Sequence, residues 1–303
     1  MAMEPVKDIA IAKDTNIREL LRQFRNTGFQ AHHIAVAADI VQKMHEDKDC
    51  AIVMSFPCNL VASGLRGVMR QLVEQGIVKV LVTTSGTVDE DFIRSKSTYL
   101  QGEFEADDEQ LGKDGINRMG NVFVPNDRYE LLETEMPAIL DAIAKERPRI
   151  TPSKLLEEIG KRCPEGSLLK AAADKNVPIY CPGITDGAFG MQLFLFQQKR
   201  PDFVVDPVAD LKQAVSNSFG FKRMGLIALG GGIAKHHAIL SSLMRGGFDY
   251  AVYVNSSSPY RGSLSGATTS EAMSWGKVKP GNAVTVHGDA QIVLPLLAAM
   301  VLE

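Results

Sequence analysis

Apolar residues near the start of the chain recur at steps of three and four. This period predicts two amphipathic helices between Ile17 and Met44, separated near Gly28. Further along, short runs that are apolar throughout alternate with segments of helical period. Uninterrupted apolar strands connected by helices are typical of a parallel sheet that is covered on both faces. The pattern therefore predicts an α/β fold with a doubly wound, mostly parallel, Rossmann-like sheet, preceded by N-terminal helices.

Seven apolar runs have the length and composition of strands. They are Cys50–Phe56, Ile77–Gly86, Val177–Gly183, Phe203–Asp206, Met224–Gly232, Asp249–Asn255 and Ala283–Ala290. The polar stretch from Thr98 to Asn126 interrupts the alternation, and we expect it to leave the sheet. We expect one domain over residues 1–303, with residues 1–48 as its helical cap, and a mobile Ser/Gly/Thr-rich loop from Ser256 to Ser270.

The composition excludes several classes of partner. A formal charge of -3 gives no general attraction to nucleic acid, and no apolar run approaches the ~20 residues that cross a bilayer. The four cysteines form no C-x-x-C pair, which is typical of a reduced, cytoplasmic protein. The two His-His pairs cannot jointly hold one ion as i, i+4 histidines can, so we expect no metal.

Small and polar residues follow five of the predicted strands. The turns are "TTSG" from Thr83, "TDG" from Thr185, "LGGG" from Leu229, "NSS" from Asn255 and "HGDA" from His287. In an open parallel sheet, ligands bind outside the carboxyl ends of the strands, where glycines and helix N-termini can approach phosphates. The turns suit a dinucleotide. Tight turns use glycine without any ligand too, however, and Asp289 is equally well explained as a helix cap.

The segment "EAMSWGK", Glu271 to Lys277, places the only tryptophan two residues before a lysine. A protonated lysine cannot attack a carbonyl or imine, but desolvation by a neighbouring indole favours the neutral, nucleophilic amine. The ring of Trp275 could also hold a cationic substrate on its face. The alternative is a core tryptophan beside an exposed lysine at a helix end.

The chain resembles the deoxyhypusine synthase family in ten segments that follow one another in order over nearly its whole length. They are "TGFQA", "NLVASGLR", "VLVTTSG", "GEF", "GINRMGN", "TDGAFG", "GGGIAKHH", "DYAVYVN", "SEAMSWGK" and "GDAQIVLPLL". The resemblance implies an NAD-dependent homotetramer with active sites between paired subunits. It also implies oxidation of spermidine, an aminobutyl imine on the lysine of S-W-G-K, and transfer of that group to a lysine of translation factor 5A.

The resemblance assigns roles to individual residues. Lys277 would form the imine, His236 would handle protons, Glu271 would pair with a substrate amine and Trp275 would wall the substrate. Asp89 and Glu90 match the family's acidic pair, with Glu90 also on the cofactor side. The other implied NAD contacts are Asn59, Thr84, Gly86, Asp186, Gly231, Gly232, Ser256, Ser265, Asp289 and Ala290.

Four positions in or near the implied donor site depart from the family. Met191 and Leu264 stand where the family has acids, and Leu240 stands where it has an asparagine; Arg261 replaces a further acid near Leu264. A hydrogen bond to a charged group contributes roughly 1.5–3 kcal/mol, so losing two carboxylates would weaken spermidine by about two to four orders of magnitude. We therefore expect the chemistry to be kept and the substrate to be changed.

Three interpretations follow. The first is an NAD-dependent transferase acting on a small polyamine or agmatine, since a weakly hydrated guanidinium tolerates apolar surroundings better than an ammonium does. The second is a true deoxyhypusine synthase whose missing acids are supplied by the loop or by a neighbouring subunit. The third is a non-catalytic NAD-binding protein, against which the presence of Lys277, His236 and Glu271 argues.

Overall fold

A computed structural model describes residues 4–303, so the first three positions of the predicted N-terminal cap lie outside the described residues. Helices form over the following ranges: α1 (Ile17–Phe24), α2 (Phe29–Glu46), α3 (Arg66–Glu74), α4 (Gly86–Lys96), α5 (Asp108–Lys113), α6 (Asp127–Glu146), α7 (Pro152–Gly160), α8 (Leu168–Asp174), α9 (Ala188–Lys199), α10 (Pro207–Gly220), α11 (Gly232–Leu243), α12 (Thr269–Ser274) and α13 (Ala290–Ala298).

Strands form over these ranges: β1 (Cys50–Ser55), β2 (Val78–Val82), β3 (Leu100–Gln101), β4 (Ile116–Met119), β5 (Val122–Pro125), β6 (Arg149–Ile150), β7 (Ile179–Tyr180), β8 (Val204–Val205), β9 (Arg223–Leu229), β10 (Tyr250–Asn255) and β11 (Ala283–His287). The described chain divides into two compact units. The first contains the segment up to Phe56, Gln71–Val82 and Leu211–Glu303, and the second contains Pro57–Arg70 and Thr83–Asp210.

The first unit is built on five parallel strands in the order β11-β10-β9-β1-β2. The inner strands β1, β9 and β10 are buried almost throughout, as their apolar sequences predict, and β11 at the edge alternates between buried and less buried residues. Gly225 in β9 packs against Met44 of α2. Gly225 pairs with Tyr250 of β10, so these two residues share a face of the sheet. Tyr253 lies three residues beyond Tyr250 and therefore points to the opposite face, where Lys235 of α11 covers its ring. Helices on both faces confirm the doubly wound α/β prediction.

The second unit contains two small sheets beside its helices. Strands β3, β5 and β4 form an antiparallel sheet within the stretch from Thr98 to Asn126, which therefore leaves the parallel sheet as predicted. The sequence pattern did not predict these strands, because the hairpin is short and its outward residues are polar. The prediction that Phe203–Asp206 is a strand of the large parallel sheet was wrong. Only Val204–Val205 form a strand there, and they pair with Arg149–Ile150.

The N-terminal pattern is confirmed in detail. Helix α1 begins after Asn16, whose side chain accepts a hydrogen bond from the Glu19 backbone N–H. The break predicted near Gly28 separates α1 from α2, and Phe29 carries the positive φ of 58° that turns the chain there. No helix of residues 4–303 is long and apolar enough to cross a membrane.

Candidate active site

A cavity of about 140 Å³ in the first unit brings four of the predicted site residues together. Lys277, Trp275, Glu271 and Leu264 all line it. The Lys277 Nζ atom lies 4.9 Å from the centroid of the Trp275 ring, within range of a cation–π contact. The Trp275 side chain is 66% exposed, so it is not a core residue of this chain.

The backbone of Lys277 is held on both sides. Its N–H donates to the Ala272 carbonyl and its carbonyl accepts from the Phe248 N–H, both at 3.0 Å. Gly276 closes α12 with a φ of +65°, the usual role of a glycine after a helix. Gly247 lies so close that an added Cβ would come within 2.5 Å of the Lys277 carbonyl oxygen. The nucleophile candidate is therefore fixed at its base, although its side chain is long.

Lys235 also lines this cavity, and the sequence analysis did not select it. Its side chain is only 1% exposed, and burial lowers the pKa of Lys235 to about 8, against the opposing charge of Glu271. A helical period would have revealed it, because Lys235 shares a face of α11 with the buried residues Ala238 and Ile239. Two lysine amines and one carboxylate thus surround the cavity.

His236 and Leu240 lie on the other side of α11. Both side chains are exposed, and neither lines the Lys277 cavity in the described part of the chain. Arg261 is exposed as well, at the end of a short 3-10 turn over Pro259–Arg261. Within the first unit, the structure therefore assembles the predicted lysine, indole and glutamate but does not bring the predicted proton-handling histidine to them.

The glycine turn between β9 and α11 gathers three predicted cofactor positions. The Gly232 N–H donates to Ser265 Oγ at 3.1 Å, and a Cβ on Gly231 would come within 2.4 Å of the Ser265 Cα. Only glycine allows this close approach. Gly232 has a φ of +74° and open space above its Cα, at the N-terminus of a helix of 12 residues. Such a turn fits the phosphates of a dinucleotide.

The neighbouring turns of the same sheet contain the other predicted cofactor residues of the first unit. Ser256 is exposed directly after β10, and Asp289 and Ala290 follow β11. Because β9, β10 and β11 are adjacent and parallel, these turns share one edge of the sheet. Asp289 accepts a hydrogen bond from the Gln291 N–H, so the capping role considered for it is present.

The acidic pair of the second unit is buried. Asp89 accepts hydrogen bonds from the N–H groups of Ala188 and Phe189 at 3.1 and 2.6 Å, which caps α9. Burial raises the pKa of Asp89 to about 7; the hydrogen bond from Phe189 opposes this, and the charge of Glu90 adds to it. Burial also raises the pKa of Glu90, opposed by the nearby Tyr99 hydroxyl and the Arg94 charge.

Other predicted residues of the second unit surround the turn after Thr83. The Cys58 N–H donates to Thr84 Oγ1 at 3.1 Å, and Gly86 packs against the Cys58 side chain. Asn59, which follows Cys58, is exposed, as are Asp186 and Met191. Gly187, next to Asp186, lies against Ser85 and Asp89, where an added Cβ would come within 3.1 Å of both side chains.

No group of three or more His, Cys, Asp or Glu side chains among residues 4–303 is arranged to hold a metal ion. The polar groups at the Lys277 cavity, the glycine turn and the Asp89 cap are amines, carboxylates, hydroxyls and backbone N–H groups. This is the donor set of an organic substrate and a phosphate-bearing cofactor.

Comparisons with known proteins agree with these observations. The family model of deoxyhypusine synthase matches residues 19–301. The chain is 40% identical to a "Probable deoxyhypusine synthase" of Thermoplasma acidophilum, covering 97% of this chain and 96% of that protein. It is 41% identical to a protein of the same description from Ignicoccus hospitalis, covering 99% and 96%. A crystal structure of a provisionally assigned deoxyhypusine synthase from Entamoeba histolytica has a TM-score of 0.68 and 25% identity, covering 97% and 96%.

A family match over most of the chain, together with about 40% identity to full-length relatives, decides the assignment. The protein is an enzyme of the matched family, and its cofactor is NAD. The chain belongs to the deoxyhypusine synthase family, whose members are NAD-dependent aminobutyl transferases.

Proposed function

We propose that the protein transfers a butylamine-type fragment from a small amine, with agmatine or a small polyamine as the donor, to a second amine. The observation that carries this proposal is the charge of the Lys277 cavity. Glu271 is its one carboxylate, while Lys235 and Lys277 both place amines there, and Leu264 offers an apolar wall where the family resemblance implies an acid. A donor with several ammonium groups would find too few partners in such a cavity.

The exposed face of Trp275 favours a guanidinium. A planar guanidinium stacks on an indole and is more weakly hydrated than an ammonium, so it loses less on leaving water. The indole is 66% exposed and stands at the cavity beside Lys277. Agmatine carries one guanidinium and one ammonium, and Glu271 can pair with one of these two charges.

The glycine turn of the first unit would hold NAD. Gly231, Gly232 and Ser265 would lie at its phosphates, with Ser256, Asp289 and Ala290 at the neighbouring turns of the same sheet edge. In the second unit we assign Asn59, Thr84, Gly86, Asp186 and Glu90 to the cofactor. When bound, NAD supplies a hydride acceptor that later returns the hydride, so the net oxidation is zero.

Lys277 would carry the fragment. After the carbon next to the donor nitrogen has lost a hydride, the donor is an imine at that carbon. The neutral amine of Lys277 adds to this carbon, the bond to the donor nitrogen breaks, the rest of the donor leaves as an amine, and the fragment stays on Lys277 as an imine. The acceptor amine then displaces Lys277 and forms the new carbon–nitrogen bond. The fixed backbone of Lys277 and the wall of Trp275 would orient the fragment during both displacements. We assign His236 to proton transfer, and Asp89 and Met191 to the wider donor site.

The experiment that tests this is mass spectrometry after incubation with NAD and, separately, agmatine, putrescine and spermidine, followed by borohydride reduction. We expect an adduct on Lys277 with agmatine but not with spermidine, and no adduct in Lys277→Ala. Lys279→Ala is the matched control, since that lysine is half exposed and pairs with Asp249 outside the cavity. If no amine ever labels Lys277, the protein is a non-catalytic NAD-binding member of the family.

A second function is favoured by the relatives. Proteins described as "Probable deoxyhypusine synthase" are about 40% identical over nearly the full chain, which supports transfer from spermidine to a lysine of translation factor 5A precursor. Incubation of that precursor with labelled spermidine, NAD and the enzyme distinguishes the two functions. Label on the precursor would establish the protein acceptor and contradict the small-molecule proposal.

We also propose that the protein is a cytoplasmic homotetramer. Exposed apolar side chains support self-association: Met191, Phe194 and Leu195 on α9, Ile233 and Leu240 on α11, and Met244 directly after α11. Light scattering during size-exclusion chromatography measures the mass directly. A monomer at micromolar concentration would contradict the tetramer.

A further inference from the structure

Lys235 carries a charged group into the interior of the first unit. Its Nζ atom donates to the Leu264 carbonyl at 3.1 Å and to the Ala267 carbonyl at 2.7 Å. It also lies 4.2 Å from the centroid of the Tyr253 ring. The ammonium thus has two carbonyls and one aromatic face as partners, and no carboxylate of the described residues forms an ion pair with it.

This arrangement does not contribute to stability as an apolar side chain would. Taking an ammonium out of water costs several kcal/mol unless its partners compensate, and lysine is almost never fully buried without a carboxylate. A methionine of similar length would fill the space between α11 and β10 without that cost. The buried charge therefore needs another explanation, which its two carbonyl partners provide.

The two carbonyls are the ends of one short segment, Leu264–Ala267, which we call the clamped segment. Its first residue lines the Lys277 cavity, and its second, Ser265, accepts the hydrogen bond from the glycine turn. Directly after it, Thr268 caps α12, the helix that carries Glu271 toward Lys277. One ammonium thus fixes a segment that contacts both the predicted cofactor turn and the substrate cavity.

We propose that Lys235 is a positioning residue of the transfer reaction, holding the clamped segment so that Leu264 faces the Lys277 cavity and Ser265 stays at the glycine turn. Its role in the reaction rests on the proposed function, whereas its hold on the segment does not. Lys235 itself forms no bond to substrate. Among the described residues, the backbone–backbone hydrogen bonds of the clamped segment are local, from the Ala267 N–H to the Leu264 carbonyl and from the Gly266 N–H to the Ser263 carbonyl, and neither ties the segment to α11.

The test compares Lys235→Met, which removes all donors, with Lys235→Gln, which keeps an N–H₂ donor without charge. Hydrogen exchange of peptides covering residues 256–268 reports the clamp directly. We expect exchange in the clamped segment to rise at least about tenfold in Lys235→Met, with partial protection in Lys235→Gln. Ile227→Val, in the buried β9 strand, controls for a general loss of stability.

Kinetics separate positioning from a structural role. We expect Lys235→Met to raise the KM for the amine donor about tenfold with a smaller change in kcat, and Lys235→Gln to recover part of the loss. Unchanged exchange in the clamped segment of Lys235→Met would overturn the proposal, as would a borohydride adduct on Lys235 in place of Lys277. If exchange is faster in Lys235→Met but no amine forms an adduct on Lys277 of the wild type, the proposed function is rejected. The inference that Lys235 holds the clamped segment would still stand.

Discussion

At the scale of single residues, the proposed donor choice can be tested most directly at position 264 of the first unit. Leu264 faces the cavity shared by Lys277, Trp275 and Glu271, and its side chain can offer no hydrogen bond to an ammonium. A carboxylate at this position would add a second acidic partner on the wall of the cavity. Charge at one residue would thus shift the preference between a guanidinium and several ammonium groups.

Leu264→Asp is expected to increase the use of spermidine. One charge-assisted hydrogen bond contributes about 1.5–3 kcal/mol, which corresponds to roughly a tenfold to hundredfold gain in affinity. The measurement is the KM for spermidine relative to agmatine. Leu264→Asn is the control, because asparagine has the size of aspartate but no charge. An equal gain in both variants would show that the shape of the cavity, and not its charge, limits the binding of spermidine.

Tyr253→Phe is expected to affect substrate and leave folding intact. The Tyr253 hydroxyl is buried at the cavity and makes no hydrogen bond within residues 4–303, so its removal should leave the free energy of unfolding unchanged or slightly higher. A donor amine would lose a hydrogen bond, and its KM should rise about fivefold to tenfold. Urea denaturation and steady-state kinetics measure the two effects.

Tyr250→Phe is the matched control. The Tyr250 hydroxyl donates to Asp47 at 3.3 Å and does not line the Lys277 cavity, so its removal should cost about 0.5–1.5 kcal/mol of stability without changing the KM. If Tyr253→Phe is the less stable variant and its KM is unchanged, the hydroxyl has a structural role.

At the scale of elements, the start of α9 is capped by a buried acid of α4, Asp89, whose pKa is raised. The pKa of Asp89 is raised to about 7, mainly by burial, while in an unfolded chain it is near 3.8. Between these values the folded protein binds a proton that the unfolded chain does not bind. Stability contributed by this group is therefore present at low pH and is lost as the pH rises toward 7.

Asp89→Asn should remove this part of the pH dependence. The amide carries no charge to bury. It keeps one acceptor oxygen, so one of the two hydrogen bonds from the Ala188 and Phe189 N–H groups is lost at every pH. As the pH rises from about 4 to 8, the unfolding free energy of the variant should increase by a few kcal/mol relative to that of the wild type. Urea denaturation over this pH series measures it; a constant difference would show that Asp89 is ionised in the folded protein throughout.

The sequence pattern predicted the elements of the first unit better than those of the second. The strands β1, β9 and β10 are buried on both faces, so their residues are almost continuously apolar and easy to recognise. The edge strand β11 alternates buried apolar residues with less buried ones. Strands of two to four residues have no such signal. This is why the antiparallel hairpin β4–β5 was not predicted, and why Phe203–Asp206 was assigned to the wrong sheet.

The candidate site was predictable where a motif stays local. "SEAMSWGK" encodes a helix, a closing glycine and a lysine within eight residues, and its lysine, indole and glutamate meet at one cavity. Lys235 lies in the matching segment "GGGIAKHH", and the helical period places it on the buried face of α11. Its two carbonyl partners, on Leu264 and Ala267, are distant along the chain. Contacts across such distances along the chain cannot be read from spacing, and His236 was chosen from the segment in its place.

At the scale of the whole molecule, each compact unit is assembled from separated pieces of the chain. The first unit takes its strands from residues 50–55 and 78–82 and then from residues beyond 211. A linear pattern shows no linker between such units, because the chain passes from one to the other just after β1, inside α3, directly after β2 and inside α10. The expectation of one domain over residues 1–303 therefore stays a prediction.

Binding of NAD should stabilise the whole chain. A ligand that binds only the folded protein, at about one hundred times its Kd, adds about 2.7 kcal/mol to the free energy of unfolding and raises the Tm by a few degrees.

Gly231→Ala should abolish most of this rise, because its Cβ would collide with the backbone of Ser265 and displace the clamped segment from the glycine turn. Gly220→Ala, where an added Cβ meets nothing within 4 Å, should keep it. Lys277→Ala should keep the full rise while losing the imine adduct, since its side chain lies at the amine cavity and not at the glycine turn. Differential scanning fluorimetry of the four proteins with and without NAD therefore separates cofactor binding from catalysis, and a full rise in Gly231→Ala would place NAD elsewhere.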